Sequence, residues 1–545
     1  MRTPLVLAWL TALWIGTLAN WPLWQQLLQL PELDNSAGRL FVLAFMGIVT
    51  ALHGAVFSLV AWPWLLRPLM VFSLFSAAAL AHFMGSYGIV VDPSMVVNIV
   101  QTDVREARDL LSLRLLVSLL ILGLLPALWL YRSPVRRLGG WRQLALNAAG
   151  AVLGLGVVLA LGMASFATLA PTMRDHKELR YMISPLNAYW SLGVVAYESQ
   201  AQPDGPPAVV GADARLLPRS ADAKPPLLLL VVGETARAAN FSLNGYARPT
   251  NPRLQQETDL LSFRQVSSCG TSTAASLPCM FSHLGRNAFL DLKGSQENLL
   301  DVLQRAGLAV LWLDNQSGCK GLCDRVPNAQ ANQPAPAAAA LPAGLCDAEE
   351  CLDEALLHGL DQRLAALPAE RRARGTVLVM HQMGSHGPAY YKRSPSGAKP
   401  FQPECRTNAL QQCPREQVLN AYDNTIAYTD RILAGAIDWL KQQSGQHQVA
   451  MLYVSDHGES LGENNLFLHG MPYAVAPREQ THVPLLLWLP PATSAALRLQ
   501  AGCLAQRIDQ PFSHDQLFHT VLGLSGVATS LYRPDWDLLS PCKAH

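Results

Sequence analysis

The chain has 545 residues, of which 50% are hydrophobic and only 15% are charged. A soluble globular protein of this length rarely carries so few charges, so the composition predicts a membrane-embedded part. The formal net charge is +1, and the polar part of the chain has no basic stripe with interleaved aromatic residues. We therefore exclude nucleic acid as a partner.

Five long apolar stretches lie within residues 1–168, whereas the remainder of the chain has an ordinary globular composition. Each stretch approaches the ~20 residues that an α-helix needs to cross a bilayer. We predict a transmembrane domain of five helices at 1–168, interfacial helices and a linker at 169–225, and a globular domain at 226–545. The predicted spans are 4–22, 39–61, 65–84, 114–131 and 144–168.

Basic residues between the spans predict the orientation of the chain, because cytoplasmic loops are enriched in Lys and Arg. Arginines occur between the second and third spans and crowd the loop between the fourth and fifth. The N-terminus then lies in the cytoplasm, and everything after about residue 168 lies outside. These arginines are Arg67, Arg132, Arg136, Arg137 and Arg142.

The distribution of cysteines agrees with this orientation, since all ten lie at or beyond Cys269. An even number in closely spaced pairs is typical of short disulfide loops in an oxidising compartment. A zinc knuckle is the weaker alternative, because no matching pair follows at ribbon-like spacing. The close pairs are Cys269 with Cys279, Cys319 with Cys323, Cys346 with Cys351, and Cys405 with Cys413, which leaves Cys503 and Cys542 as a remainder.

The loop after the third span contains a predicted short helix that starts at Asp92 and Pro93, a capping acceptor followed by a residue that needs no N–H. Beyond this start, Asn98, Thr102 and Glu106 recur at every fourth position and share one helix face. An amide, a hydroxyl and a carboxylate on one face would suit the ammonium head group of a lipid. On spacing alone, a solvated polar face is the simpler interpretation.

The globular half alternates short apolar runs with helix-length segments, which is typical of an α/β sheet buried on both faces. Ligand sites in such sheets lie beyond the carboxyl ends of the strands. One predicted strand is followed by Gly233 and Glu234, and another by Ser455, Asp456 and His457. The predicted strands are 227–232, 309–313, 376–380, 449–454 and 483–489.

Carboxylates together with imidazole predict a zinc site, and a nearby hydroxyl could act both as ligand and as nucleophile. The small-residue segment 268–279 supplies hydroxyls and is suited to opening a helix whose free N–H groups face a phosphate. Taken alone, a Ser/Thr-rich loop is usually only a loop, and an Asp-His pair is more often structural. Their joint placement after strands favours a site.

Four ordered motifs in this half are specific: VGETARAAN at 232–240, CGTST at 269–273, SHGP at 385–388 and SDHGESLGEN at 455–464. They resemble the bacterial phosphoethanolamine transferases, and in particular the lipid A phosphoethanolamine transferases, which include the polymyxin (colistin) resistance enzymes. The resemblance covers nearly the whole chain, since the five-span anchor corresponds as well. An Ala/Pro-rich stretch at 327–344, beside Lys320, departs from the family pattern.

The resemblance implies an alkaline-phosphatase/sulfatase-like fold for the globular domain, with Thr273 as nucleophile and His386 and His469 as catalytic histidines. It also implies zinc as the cofactor and a set of side chains that contact the substrate. The implied zinc ligands are Glu234, Thr273, Asp456 and His457. The implied substrate-binding residues are Asn98, Thr102, Glu106, Lys320 and His381.

The implied reaction takes phosphoethanolamine from phosphatidylethanolamine and passes it through a phosphoethanolamine-threonine intermediate to a phosphate of lipid A. The implied place is the bacterial inner membrane, as a multi-pass monomer with its catalytic domain in the periplasm. Another acceptor, such as the lipopolysaccharide core or a periplasmic glucan, and phosphoglycerol transfer stay open. A sulfatase is disfavoured because no C/S-x-P-x-R motif surrounds Thr273, and a binding protein with a dead domain is disfavoured because all four implied ligands are present.

Overall fold

The computed structural model describes residues 2–102, 104–136, 138–201, 205–220, 222–347 and 350–544. Two compact units make up the chain: Met1–Val97 with Leu110–Glu198, and Asn98–Asp109 with Ser199–His545. The domain boundaries at residues 168 and 225 stay a prediction. Arg137, which contributes to the predicted orientation, lies outside the described residues.

The first unit is helical, as predicted. Within the described residues, four helices are long and apolar enough to cross a membrane, and a helix pair bent by 46° makes a fifth if it counts as one span. The four helices are Ser36–Leu59, Leu66–Tyr87, Leu113–Arg132 and Gly140–Ala164, and the bent pair is Pro4–Ala19 with Trp21–Leu28. Shorter helices follow at Phe166–Asp175, Lys177–Met182 and Leu186–Ala201.

The second unit is built on an eight-stranded mixed sheet, in which the neighbouring strands follow the order Phe512–Ser513, Leu260–Ser267, His482–Trp488, Gln448–Ser455, Pro226–Gly233, Thr376–His381, Ala309–Asp314 and Asn328–Gln330. Its central strands are apolar and buried on both faces, which confirms the predicted α/β class. The strands of the second unit are β1 Arg215–Leu216, β2 Pro226–Gly233, β3 Leu260–Ser267, β4 Ala309–Asp314, β5 Asn328–Gln330, β6 Thr376–His381, β7 Gln448–Ser455, β8 Ser460–Leu461, β9 Phe467–Leu468, β10 His482–Trp488, β11 Phe512–Ser513 and β12 Val527–Ala528.

Parallel pairing of β4, β6, β2 and β7 brings four carboxyl ends to one edge of the sheet. In register, Asp314 lies beside His381, His381 beside Val232, and Gly233 beside Ser455. The residues that follow these strand ends must therefore gather at the same edge.

The α-helices of this unit are Pro93–Gln101 in part, Val104–Asp109, Thr273–Met280, Arg286–Leu290, Leu299–Arg305, Leu360–Ala365, Ala369–Arg372, Arg415–Gln443, Arg478–Thr481, Pro491–Ala496 and Asp515–Ser525.

Disulfides tie the loops of this unit together. All ten cysteines are paired, and each pair agrees with the predicted one. The bonds are Cys269–Cys279, Cys319–Cys323, Cys346–Cys351, Cys405–Cys413 and Cys503–Cys542.

Candidate active site

Two neighbouring strands deliver acidic and imidazole groups to one place. Since Gly233 and Ser455 are in register, the residues after them, Glu234 on one strand and Asp456 with His457 on the other, emerge side by side. The N–H of Asp456 donates to the carbonyl of Gly233 at 2.9 Å and fixes the two strand ends. Glu234, Asp456 and His457 are fully buried, and one ligand atom of each lies within 4.8 Å of the others.

The hydroxyl of Thr273 belongs to the same cluster. Thr273 is the first residue of the helix Thr273–Met280, where N–H groups have no intrahelical partner and the helix dipole favours negative charge. Its Oγ1 donates to Glu234 Oε2 at 3.0 Å and lies 3.4 Å from His457 Nε2. The structure thus brings together all four residues that the resemblance implies as zinc ligands.

The charges in this cluster are strongly coupled. Burial raises the pKa of Glu234, but the hydrogen bond and the positive charge of His457 outweigh burial and hold that pKa low. Burial and the charge of Glu234 raise the pKa of Asp456. Burial lowers the pKa of His457, yet Asp456 and Glu234 more than compensate and raise it to about 10. The two carboxylates therefore draw a positive charge into a site that excludes water.

The donor atoms fit a metal ion. Asp456 Oδ2 is buried and accepts no hydrogen bond from the described part of the chain, although His457 Nε2 lies 3.4 Å away. A buried carboxylate oxygen without a donor is costly unless a cation reaches it. Two carboxylates, an imidazole and a hydroxyl make a ligand set that suits zinc.

A row of histidines extends from this cluster. The ring of His469 lies 4.3 Å from that of His457 and 5.6 Å from that of His386, measured between centroids. Burial, and the charges of His457 and His386, lower the pKa of His469. The two predicted catalytic histidines thus lie side by side next to the cluster. His469, the one nearer to His457, is held neutral by its lowered pKa.

Glu459 completes this row and was missed in the sequence. It is fully buried, and its Oε1 lies 3.4 Å from His469 Nδ1. Neither carboxylate oxygen has a hydrogen bond within the described residues, and burial raises the pKa of Glu459 to about 8. Its position two residues after His457, inside a conspicuous motif, was the available signal.

The 98–109 segment reaches the far end of the histidine row. Glu106 Oε1 lies 3.8 Å from His386 Nε2 and accepts a hydrogen bond from Gln316 Nε2 at 3.2 Å. The prediction of one continuous helix for Asn98, Thr102 and Glu106 is wrong, because one helix ends at Gln101 and the next begins at Val104. Thr102 Oγ1 donates to the carbonyl of Asn98 at 2.8 Å, a local bond that competes with helix continuation.

The remaining predicted residues differ in their distance from the centre. His381 ends β6, is fully buried, and lies with Nδ1 3.3 Å from Asp314 Oδ2, which raises the pKa of His381 against the effect of burial. Lys320 is partly exposed in the Cys319–Cys323 loop, and its Nζ donates to the carbonyl of Gln101 at 3.3 Å. His381 therefore backs the metal cluster, whereas Lys320 faces the 98–109 segment.

Backbone conformation at the site is unusual in two places. Thr235, directly after Glu234, has φ 59°, and Leu468, directly before His469, has φ 64°. Residues other than glycine rarely adopt a positive φ, and those that do cluster at functional sites. Gly384 has φ 53°, and a Cβ there would lie 2.6 Å from the carbonyl oxygen of Glu234.

Comparison with known proteins identifies the class of the second unit and then the family of the chain. Residues 226–527 match the sulfatase family model, and residues 49–199 match the phosphoethanolamine transferase EptA/EptB model. The integral membrane lipooligosaccharide phosphoethanolamine transferase A of Neisseria meningitidis is 34% identical with a TM-score of 0.92, covering 99% of each chain. The alkaline-phosphatase/sulfatase-like fold on a helical membrane anchor is therefore confirmed.

Relatives of known activity extend over the same length. Phosphoethanolamine transferase EptA of Escherichia coli K12 is 39% identical, covering 99% of this chain and 97% of its own. Phosphatidylethanolamine transferase Mcr-2 of Escherichia coli is 36% identical, covering 96% of this chain and 95% of its own. The chain belongs to the phosphoethanolamine transferase family, as its motifs predict.

Proposed function

We propose that this enzyme transfers phosphoethanolamine from phosphatidylethanolamine to a phosphate of lipid A through a covalent adduct on Thr273. The observation that carries the proposal is the position of Thr273 Oγ1, 3.0 Å from Glu234 Oε2 and 3.4 Å from His457 Nε2. The names of the Escherichia coli and Neisseria relatives support the transferred group and a lipopolysaccharide-type acceptor. We place the enzyme in the bacterial inner membrane as a monomer with its catalytic domain in the periplasm.

Glu234, Thr273, Asp456 and His457 would hold a zinc ion. Bound there, zinc would lower the pKa of the threonine hydroxyl and offset negative charge on the phosphate oxygens. The support is the buried carboxylate of Asp456, whose Oδ2 accepts no hydrogen bond from the described residues. The two carboxylates also raise the pKa of His457 to about 10, which supports a site that favours a cation.

In the first step, Thr273 Oγ1 forms a bond to the phosphorus of phosphatidylethanolamine, and the bond from phosphorus to the glycerol oxygen breaks. Glu234 accepts the hydrogen bond of the hydroxyl and orients it for attack. The departing glycerol oxygen takes up a proton, and diacylglycerol leaves. His469, held neutral beside the cluster, and its neighbour His386 are the groups placed to take up the proton of the hydroxyl and pass it to that oxygen.

In the second step, a phosphate oxygen of the acceptor attacks the same phosphorus, and the bond from phosphorus to Thr273 breaks. The nearby N–H groups at the start of the helix Thr273–Met280 favour the regenerated alkoxide until it takes up the proton that the acceptor phosphate loses on attack. The product carries a new ammonium group. A less negative outer surface attracts cationic peptides less strongly, which accounts for polymyxin resistance.

Substrate contacts would come from the polar groups around the histidine row. Glu106, beside His386, is suited to the ammonium group of the donor, and Lys320 to a phosphate. The proposed donor site also includes His381, the hydroxyl of Thr102 and the amide of Asn98.

Mass spectrometry of lipid A from cells with and without the gene tests this function. We expect one added phosphoethanolamine unit, which is lost in Thr273→Ala and kept in Ser272→Ala, a neighbouring hydroxyl that makes no capping hydrogen bond. The mass of the adduct trapped on Thr273 distinguishes phosphoethanolamine from phosphoglycerol. An adduct with unchanged lipid A would point to another acceptor, such as the core or a glucan, and no adduct would refute the mechanism.

A further inference from the structure

The 98–109 segment is anchored at its end by a buried carboxylate. Asp109 is 5% exposed, and its side chain contacts Lys392 Nζ and, at 3.2 Å, Arg393 Nη2. Its carbonyl accepts a hydrogen bond from Asn408 Nδ2 at 2.6 Å. Three residues of the catalytic domain therefore hold a single residue of the segment.

The same guanidinium reaches the histidine row. Arg393 Nε donates to the carbonyl of His386 at 3.0 Å, and its Nη1 donates to Glu350 Oε2 at 2.6 Å. Arg393 is 5% exposed, so its hydrogen bonds form in a medium where charged pairs are strong. One side chain thus connects the backbone of His386 with the carboxylate of Asp109.

This arrangement bears on the position of Glu106. Glu106 and Asp109 belong to the same short helix, Val104–Asp109, and lie three residues apart, so they share a side of it. Glu106 Oε1 lies 3.8 Å from His386 Nε2, and Asp109 Oδ2 lies 3.2 Å from Arg393 Nη2. Two contacts from one helix meet two neighbouring groups of the catalytic domain.

A helix of six residues is not stable by itself, since its first turn forms only with a large loss of entropy. The position of Glu106 must therefore be set by tertiary contacts. Of the two acidic side chains of this helix, that of Asp109 is the more buried, at 7% exposed against 12% for Glu106.

We propose that Asp109 is a positioning residue that, through Lys392 and Arg393, holds Glu106 against His386 in the donor site. This inference rests on the proposed function for the role of Glu106, but the role of Asp109 in holding the segment can be tested separately. We call the ion pairs of Asp109 with Lys392 and Arg393 the latch.

The first test is a double-variant cycle in the full-length protein, with vesicles of phosphatidylethanolamine as donor. We expect Asp109→Asn to lower kcat/KM for the donor on the order of tenfold, a loss within the range of interaction energies between residues in contact. Glu106→Gln should give a similar loss, and the double variant should be no slower than Glu106→Gln alone. A double variant whose loss is the product of the single losses would overturn the proposal.

The second test is amide hydrogen exchange over Val104–Asp109, which does not depend on activity. Exchange should quicken in Asp109→Asn and stay unchanged in Glu257→Gln, a control that breaks the remote pair with Lys441. Zinc content should stay as in the parent protein. Unchanged exchange, or a loss of zinc equal to the loss of activity, would overturn the latch. If Glu106→Gln transfers normally while exchange quickens, the latch stands and the proposed role of Glu106 fails.

A charge exchange covers the case in which Asp109→Asn does not fold. Asp109→Lys should lose protection and activity, and addition of Lys392→Asp should restore part of both, because the pair is re-formed with reversed sign. No recovery in the double variant would overturn the proposal.

Discussion

The metal cluster and the 98–109 segment are both parts of the candidate site, but they are held in place by different means. Glu234, Asp456 and His457 follow strands whose register fixes them, and all three are fully buried. The 98–109 segment consists of the end of one helix and a second helix of six residues, held by ion pairs and single hydrogen bonds. A sheet edge therefore provides a rigid centre for the chemistry, while the donor side depends on contacts that one substitution can break.

The largest expected effect is that of metal removal, which acts on the centre. A chelator should abolish transfer and reduce the free energy of unfolding of the second unit by about 4 kcal/mol, the value for a ligand at about 1,000 times its Kd. The reason is that zinc would bind only the folded chain, in which Glu234 and Asp456 are brought together. Thermal unfolding with and without added zinc measures it.

Asp456→Asn is the matched variant for this experiment, because it removes one carboxylate ligand at nearly constant volume. Its melting temperature should no longer respond to the chelator. If the parent protein melts and transfers equally well without metal, the centre is not a metal site and the comparison between the two regions fails.

The sequence predicts the centre better than the segment for a physical reason. Strand β2 is a short run of Leu and Val between Pro226 and Gly233, and this length with these flanking residues predicts a buried strand whose end lies at the sheet edge. No comparable local pattern indicates that Asp109 meets Arg393, 284 residues away. Periodicity also predicted one helix across Thr102, where the structure has one helix that ends at Gln101 and another that begins at Val104. Glu459 was missed because a carboxylate between turn residues has no burial pattern of its own.

A medium effect is expected at Asp353, which fixes the loop that carries His386. Its carboxylate accepts hydrogen bonds from Asn315 Nδ2 at 2.7 Å, Met383 N at 2.8 Å and Gly384 N at 2.9 Å. Asp353→Ala would leave three buried donors unsatisfied and should destabilise the second unit by about 3 kcal/mol. Chemical denaturation measures the loss, and transfer should fall as well because His386 is displaced.

The control for Asp353 is Asp361→Ala, which also removes a carboxylate that accepts two side-chain hydrogen bonds, from Trp439 and Gln443, but on the surface. This variant should stay within about 0.5 kcal/mol of the parent protein. Equal losses in the two variants would show that the loop of His386 is not held by Asp353.

The smallest effect is expected at Lys320, on the border between the two regions. Two substitutions there separate the strain of its backbone from the role of its ammonium group. Lys320 has φ 49°, so a Cβ is strained there, and its Nζ donates to the carbonyl of Gln101 in the segment. Lys320→Ala and Lys320→Gly both remove the ammonium group and should lower kcat/KM for the donor equally. Only Gly accepts this φ without strain, so Lys320→Gly should be more stable than Lys320→Ala by about 1 kcal/mol. Unequal kcat/KM values would mean that the backbone of the Cys319–Cys323 loop, and not only the charge of Lys320, shapes the donor site. The segment would then depend on a strained loop as well as on the latch.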